Sequence, residues 1–248
     1  RLSGSSDLSR HPLMQERPGK TALIVITSDK GLAGSLNSGV IRKAESVARE
    51  SDKGHVVVFA FGRRVGDFFA TRGYTMGLNK TNVSDDVSEV QLREITQSII
   101  ARSDITNVTV VYQNFVSSFE QVPTAHKIVP VKPEMMRALV AGIRPARGKY
   151  APQAASDMLE AKPRAYTVEP DADEVLGVLL PKLLNIAVFH ALLENKASEH
   201  SARMVAMKSA TDKAKEMAQA FTRKFNKVRQ AAITREVSEI TSGIESMK

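Results

Sequence analysis

Three stretches of this chain gather residue types that can do chemistry. The first is the glycine turn Gly31-Leu32-Ala33-Gly34-Ser35, which follows an apolar β-branched run and precedes a helical pattern. Phosphate loops occupy that position, because a helix N-terminus offers free N–H groups to an anion. A P-loop, however, needs G-x-x-x-x-G-K-[ST], with its lysine on the phosphates, and no such match exists. No acidic residue stands at the end of the second apolar run to hold a ribose. The turn is a nucleotide cradle or a tight structural turn, and the missing lysine favours the turn. The second stretch, Ser198-Glu199-His200, contains the residue types of a hydrolase triad. Adjacent residues on a helix point ~100° apart, so the three cannot form a relay among themselves. They read as solvated or partner-facing polar residues. Histidines stand only at positions 11, 55, 126, 190 and 200, with no H-E-x-x-H, so no metal site, no cofactor and no catalytic group is expected.

The third stretch is a basic belt. Residues 208–235 hold Lys208, Lys213, Lys215, Arg223, Lys224, Lys227, Arg229 and Arg235 against Asp212 and Glu216, which is +6 of the chain's net +8. A concentrated positive field calls for an acidic partner. An acidic protein surface, a plain solvated face and nucleic-acid phosphate all fit a belt of this kind. The first fits best, because the belt has no interleaved aromatics and no helix-turn-helix signal.

These groups sit on a chain of 248 residues with 42% apolar and 25% charged residues, ordinary globular composition. Aromatics make up 5%, and there is no Trp and no Cys. Without cysteine there is no disulfide framework, no thiolate catalysis and no Cys-based zinc site, as fits a reducing compartment. The longest uninterrupted apolar runs are short, such as Leu23–Ile26 and Val56–Phe61, so no membrane span is expected. No signal peptide is visible at Arg1, and the sequence reads as a fragment or part of a longer protein.

Residues 1–20, broken by Pro12 and Pro18, are expected to form a poorly ordered arm. Residues 21–170 read as an α/β domain with a Rossmann-like, mostly parallel sheet. Strands are expected at Thr21–Thr27, His55–Phe61, Asn107–Tyr112 and Gln121–Val131, the last at an edge because of its prolines. Helices are expected from near Asn37, over Arg63–Arg72 and over Asp86–Arg102, and this alternation implies the parallel sheet. A long loop is expected over 132–164, with a short strand near Tyr166–Val168.

Residues 171–248 are expected to form a long C-terminal helix. The 61 residues between Pro181 and Gly243 contain neither Gly nor Pro, and helix formers dominate them. Such a helix would be about 90 Å long and would have to project from the α/β part. Its apolar residues keep heptad spacing: Met207, Ala210, Ala214, Met217 and Phe221, then Ile233, Val237, Ile240, Ile244 and Met247, with a phase slip of about one residue between the two sets. This is half of a coiled coil. The other helix must come from residues outside this sequence or from another subunit.

Two segments carry a family resemblance. Ser28-Asp29-Lys30-Gly31-Leu32-Ala33-Gly34-Ser35-Leu36-Asn37 resembles the S-D-[RK]-G-L-[CA]-G-x-x-N segment of the F-type ATP synthase gamma subunit. The tail, from Ser198-Glu199-His200-Ser201-Ala202-Arg203-Met204 through Asn226–Glu236 to Ser242-Gly243, resembles that family's C-terminal helix. Its signature I-T-x-E-x-x-[DE]-x-x-x-G-A is met from Ile233 onward except at the last place, where Ile244 replaces Ala. The family's long N-terminal helix, antiparallel to the C-terminal one, has no counterpart here.

The resemblance implies a central rotor shaft that transmits torque in ATP synthesis or hydrolysis and performs no bond chemistry itself. Its α/β part would rest on the membrane-embedded c-subunit ring beside the epsilon subunit, and its coiled coil would rise into the hexamer of alpha and beta subunits. That implies a peripheral position on an energy-transducing membrane, on the cytoplasmic face of a bacterial inner membrane or the mitochondrial matrix face. It also implies rotor–stator contacts at Arg203, Arg229, Gln230, Thr234, Glu236 and Glu239. Thr234 and Glu236 are open to a second reading, as stabilisers of the coiled coil itself. Ile240, Ile244 and Met247 would form an apolar bearing at the shaft tip. The belt residues would meet acidic loops through screened attraction, since tight desolvated pairs would resist every step of rotation.

Overall fold

A computed structural model describes residues 11–83, 89–132 and 172–247. The expected strand near Tyr166–Val168 and nearly all of the expected 132–164 loop lie outside the described residues.

The apolar runs become the centre of a five-stranded sheet: β1 (Lys20–Ile26), β2 (Val56–Phe61), β3 (Thr75–Lys80), β4 (Ile105–Phe115) and β5 (Gln121–Val129), in the order β3-β2-β1-β4-β5. The β1–β2, β2–β3 and β1–β4 pairs are parallel, and β5 runs antiparallel to β4 at the edge. Helices α1 (Leu36–Ala48), α2 (Arg63–Thr71), α3 (Glu89–Ile100) and α4 (Ala172–Glu245) complete the described elements. Alternation along the strands divides the core. Leu23, Val25, Val56, Val58 and Ala60 face Val40 and Ala44 of α1 and Val65 and Phe69 of α2. Ala22, Ile24, Val57, Phe59, Val110 and Tyr112 face Leu92, Ile95 and Ile99 of α3 and Leu184, Val188 and Leu192 of α4. β1 and β2 are therefore covered on both sides, which is why they read as unbroken apolar runs.

The sequence pattern misses β3. Its residues, TMGLNK, are poor strand formers and alternate half-buried with exposed. The open edge of β2 recruits them, and Gly77 permits it: a Cβ there would lie 2.7 Å from the Phe59 ring. Part of the expected N-terminal arm is also tied down. The Val131 N–H donates to the Leu13 carbonyl at 2.8 Å, Leu13 packs on the core, and Lys20 is already in β1 with its ammonium 3.1 Å from Asp104.

The chain forms two compact units, residues 1–202 and 203–248, so the division falls within the long helix and not at its start near 171. The reason is burial: Leu176, Leu180, Leu184, Ala187, Val188, Ala191 and Leu192 all pack in the first unit. This part of α4 lies in the one described helix that is apolar and long enough to cross a membrane, by length and composition only. Its buried residues line up toward the sheet and the Val131 cluster. Pro181 lies inside the helix without ending it. The Gly177 carbonyl, deprived of its usual donor, belongs to an exposed residue that water can reach.

Candidate functional site

The segment from Ser28 to Asn37 is a structural knot. The Ser28 N–H donates to Asn37 Oδ1 at 2.9 Å, and Asn37 Nδ2 donates to Ser28 Oγ at 2.8 Å. The Lys30 carbonyl lies 2.8 Å from Ser28 Oγ and can accept its proton. Asp29 Oδ1 accepts the first N–H of α2, from Arg63, at 3.0 Å. Serine, aspartate and asparagine at this spacing thus close the β1–α1 turn and cap the neighbouring helix. Their polar atoms are used internally, which supports the structural reading of the glycine turn.

The Ser198-Glu199-His200 stretch corrects the sequence reading. Ser198 is 0% exposed and Glu199 5% exposed, and only His200 is exposed. Ser198 and Glu199 are therefore core-facing, not solvated. The physical reason lies in the sheet. β1 ends at Ile26, and beyond its last partner Val111 the main chain of β4 has no strand on that side. α4 supplies the missing partners. Phe115 N–H donates to Glu194 Oε2 at 2.7 Å, Gln113 N–H to Asn195 Oδ1 at 3.4 Å, and Ser198 Oγ to the Gln113 carbonyl at 3.1 Å. Gln113 and its β5 opposite, Pro123, form a non-hydrogen-bonded pair, so the Gln113 N–H and carbonyl both face away from β5 toward α4. Further ties of α4 are the Lys196 ammonium to the Val83 carbonyl, the Ser201 hydroxyl to the Ser118 carbonyl, and Thr96 with Asn185.

The same corner perturbs one titration. Tyr112 is 5% exposed, and burial, reinforced by the Glu194 charge, pushes its phenol from 10.0 up to about 12. Below pH 10 the phenol is protonated in both folded and unfolded chains. Between pH 10 and 12 only the unfolded chain releases the proton, so stability falls as pH rises through that window. Denaturant titrations should show a loss of ~2–3 kcal/mol there in the parent chain. Tyr112→Phe should lack it, and an equal alkaline loss in both chains would contradict the assignment.

The predicted rotor contacts all lie on residues 203–247, where every described side chain is half-exposed or exposed. Arg203 is half-exposed at the start, and Arg229, Gln230, Thr234, Glu236 and Glu239 are exposed. The Thr234 hydroxyl donates to the Gln230 carbonyl at 2.9 Å, and Glu239 pairs with Arg235 at 2.8 Å. Exposed pairs of this kind contribute well under ~1 kcal/mol, so an incoming partner can replace them. At ~100° per residue, the Met207–Phe221 set occupies an arc of roughly 80°, which Phe225, Val228 and Ala232 continue. The set Ile233, Val237, Ile240, Ile244 and Met247 occupies a second arc, turned from the first by about 120°. Lys208, Lys213, Lys215, Arg223, Lys224 and Lys227 fall outside the first arc and are all exposed. The helix thus presents one apolar stripe, a broad basic face, and near its end a second stripe in a new direction. Phe221, Phe225, Val228, Ile240, Ile244 and Met247 along these stripes are more than half exposed. Among the described residues, no group of three or more His, Asp or Glu could hold a metal ion.

A family model described as ATP synthase matches residues 1–247. The ATP synthase gamma chain of Desulforamulus reducens is 34% identical over 252 residues, spanning 100% of this chain and 81% of that protein. Two solved structures share the fold. One is the central stalk with c-ring of the Tetrahymena thermophila mitochondrial ATP synthase, at 23% identity and TM-score 0.55, covering 82% of this chain and 84% of that one. The other is the rotor of the Euglena gracilis mitochondrial ATP synthase, at 16% identity and TM-score 0.56, covering 87% of this chain and 75% of that one. A whole-chain family match, a relative aligned along the full sequence and a shared sheet-plus-long-helix fold converge: the chain belongs to the ATP synthase gamma-chain family.

Proposed function

We propose that this chain is the central rotor-stalk subunit of an F-type proton-translocating ATP synthase. In this role it transmits torque between a membrane c-ring and a catalytic alpha/beta hexamer, and does no bond chemistry itself. The observation that carries the reading is the stretch 203–247, helical through Glu245, whose apolar stripes and basic face are open to partners. A chain with this much unpartnered apolar surface is built to be surrounded. The stripe from Met207 to Val228 fits a second helix in coiled-coil packing, and the stripe from Ile233 to Met247 fits an apolar sleeve. Arg203, Arg229, Gln230, Thr234, Glu236 and Glu239 are the contacts to the hexamer, and the belt lysines and arginines face its acidic loops. The α/β unit sits on the c-ring beside the epsilon subunit. The complex is peripheral on an energy-transducing membrane, on the cytoplasmic face in a bacterium or the matrix face in a mitochondrion.

The test is co-purification. The tagged full-length chain, co-expressed with alpha and beta subunits, should elute with both in one gel-filtration peak. Elution of the chain by itself would reject the reading. The isolated chain should also neither hydrolyse ATP nor bind it tightly, because the turn at Gly31–Gly34 lacks a phosphate-binding lysine. Calorimetry should give no heat of binding at micromolar ATP, and a stoichiometric isotherm would count against a non-catalytic shaft.

A further inference from the structure

We infer that Glu194, Asn195 and Ser198 form the joint through which twist passes between the α/β unit and the rest of α4. The inference rests on the rotor-stalk reading above. These side chains occupy positions i, i+1 and i+4 of one stretch of helix, and they bond main-chain groups of Gln113 and Phe115 in β4. Asn195 is 1% and Ser198 0% exposed, so water has no route to replace their two bonds, while Glu194 is half-buried.

Burial separates the Asn195 and Ser198 bonds from the other polar ties of α4, which are part-buried or exposed, and direction separates them from its apolar contacts. The neighbouring contacts of Leu184, Val188 and Leu192 are apolar. Apolar attraction is non-directional and tolerates a helix turning about its own axis while side chains repack. Hydrogen bonds do not tolerate it, because they weaken steeply once the donor angle falls below ~120°. Three directional bonds within an arc of ~100° on one face of the helix resist axial rotation in a way that a greasy contact does not. They also lie within the last turns before residue 203, where the second compact unit begins. Twist arriving from that unit therefore loads them before it loads the apolar residues further back. The bonds deliver that load to the main chain of β4, which is laddered to β1 and β5 and so draws the sheet into the joint.

The experiment uses the assembled, vesicle-reconstituted synthase carrying Asn195→Leu with Ser198→Ala. Two quantities are read: ATP hydrolysis, and ATP-driven proton uptake per ATP hydrolysed. The expected result is near-parental hydrolysis with proton uptake per ATP reduced severalfold, since the shaft turns in the hexamer while slipping at the sheet. Glu194→Gln keeps an acceptor for the Phe115 N–H and should retain the parental ratio. A merely structural role would lower the unfolding temperature of the chain and leave the ratio of assembled complexes unchanged, and that result overturns the inference. If the double variant does not enter the complex, Ser198→Ala is read the same way, a reduced ratio supporting the joint and a parental one rejecting it. Failure of the unsubstituted chain to assemble with alpha and beta subunits rejects the rotor-stalk reading, not the joint.

Discussion

Arg229→Ala combined with Gln230→Ala should leave the synthase assembled, as judged by gel filtration, while cutting ATP hydrolysis and synthesis severalfold or more. Both side chains are exposed, and neither supports the first unit's core, so their loss has no route to unfolding it. Arg229 stands one heptad before Glu236 and Gln230 one heptad before Val237, just ahead of the tip stripe that begins at Ile233. At successive helix positions they point ~100° apart and can meet a stator loop at different rotor angles. An interaction made at some angles and absent at others shapes the barrier between rotational states, so its removal changes rate. An interaction present at all angles would add affinity only. Charge-assisted bonds from Arg229 make it the larger contributor of the two. Ile240→Asp should act by another route, placing a carboxylate on the apolar stripe and costing a few kcal/mol (~2–4) where the surrounding sleeve is dry. Dissociation of the Arg229/Gln230 double variant, or parental turnover by an intact one, would show that these are not rotor–stator contacts.

Gly62→Ala should destabilise the α/β unit by at least ~2 kcal/mol, read as a lower denaturant midpoint with an unchanged slope. Gly62 has φ +101°, a conformation that L side chains rarely adopt, and a Cβ there would lie 2.6 Å from the Thr27 carbonyl oxygen and the Thr27 hydroxyl. The obstacle includes main chain, so a rotamer change cannot relieve it. Gly62 cannot move away either. Its N–H donates to the Lys80 carbonyl at 2.9 Å, while the preceding Phe61 carbonyl accepts the Thr27 N–H at 2.8 Å. This residue fastens the ends of β1, β2 and β3 just where α2 begins. A parental midpoint in the alanine variant would mean that the strand ends relax freely.

The partition between local and tertiary information follows from which interactions are local in the chain. β1 and β2 are legible because both faces are buried, which demands unbroken β-branched and apolar runs over Leu23–Ile26 and Val56–Phe61. The edge position of β5 is legible because Pro123 cannot donate to a neighbour on its outer side. The long helix and its stripes are legible because 3.6-residue periodicity is written directly in residue spacing. The basic belt is legible for the same reason, being exposed on one helix with no tertiary packing to obscure it.

What tertiary structure decided depends on groups far apart in sequence. β3 exists because β2 offers an open edge and Phe59 needs the space at Gly77, two facts that the string TMGLNK does not contain. The burial of Ser198 depends on β1 ending while β4 continues, which leaves main-chain groups about 80 residues earlier in need of partners. From sequence by itself Ser198 and Glu199 look solvated, because a helix pattern shows which residues share a face but not what that face meets. The division of the chain within α4 is of the same kind: one continuous helix is cut into two units where the packing of its first part against the sheet gives out, after residue 202.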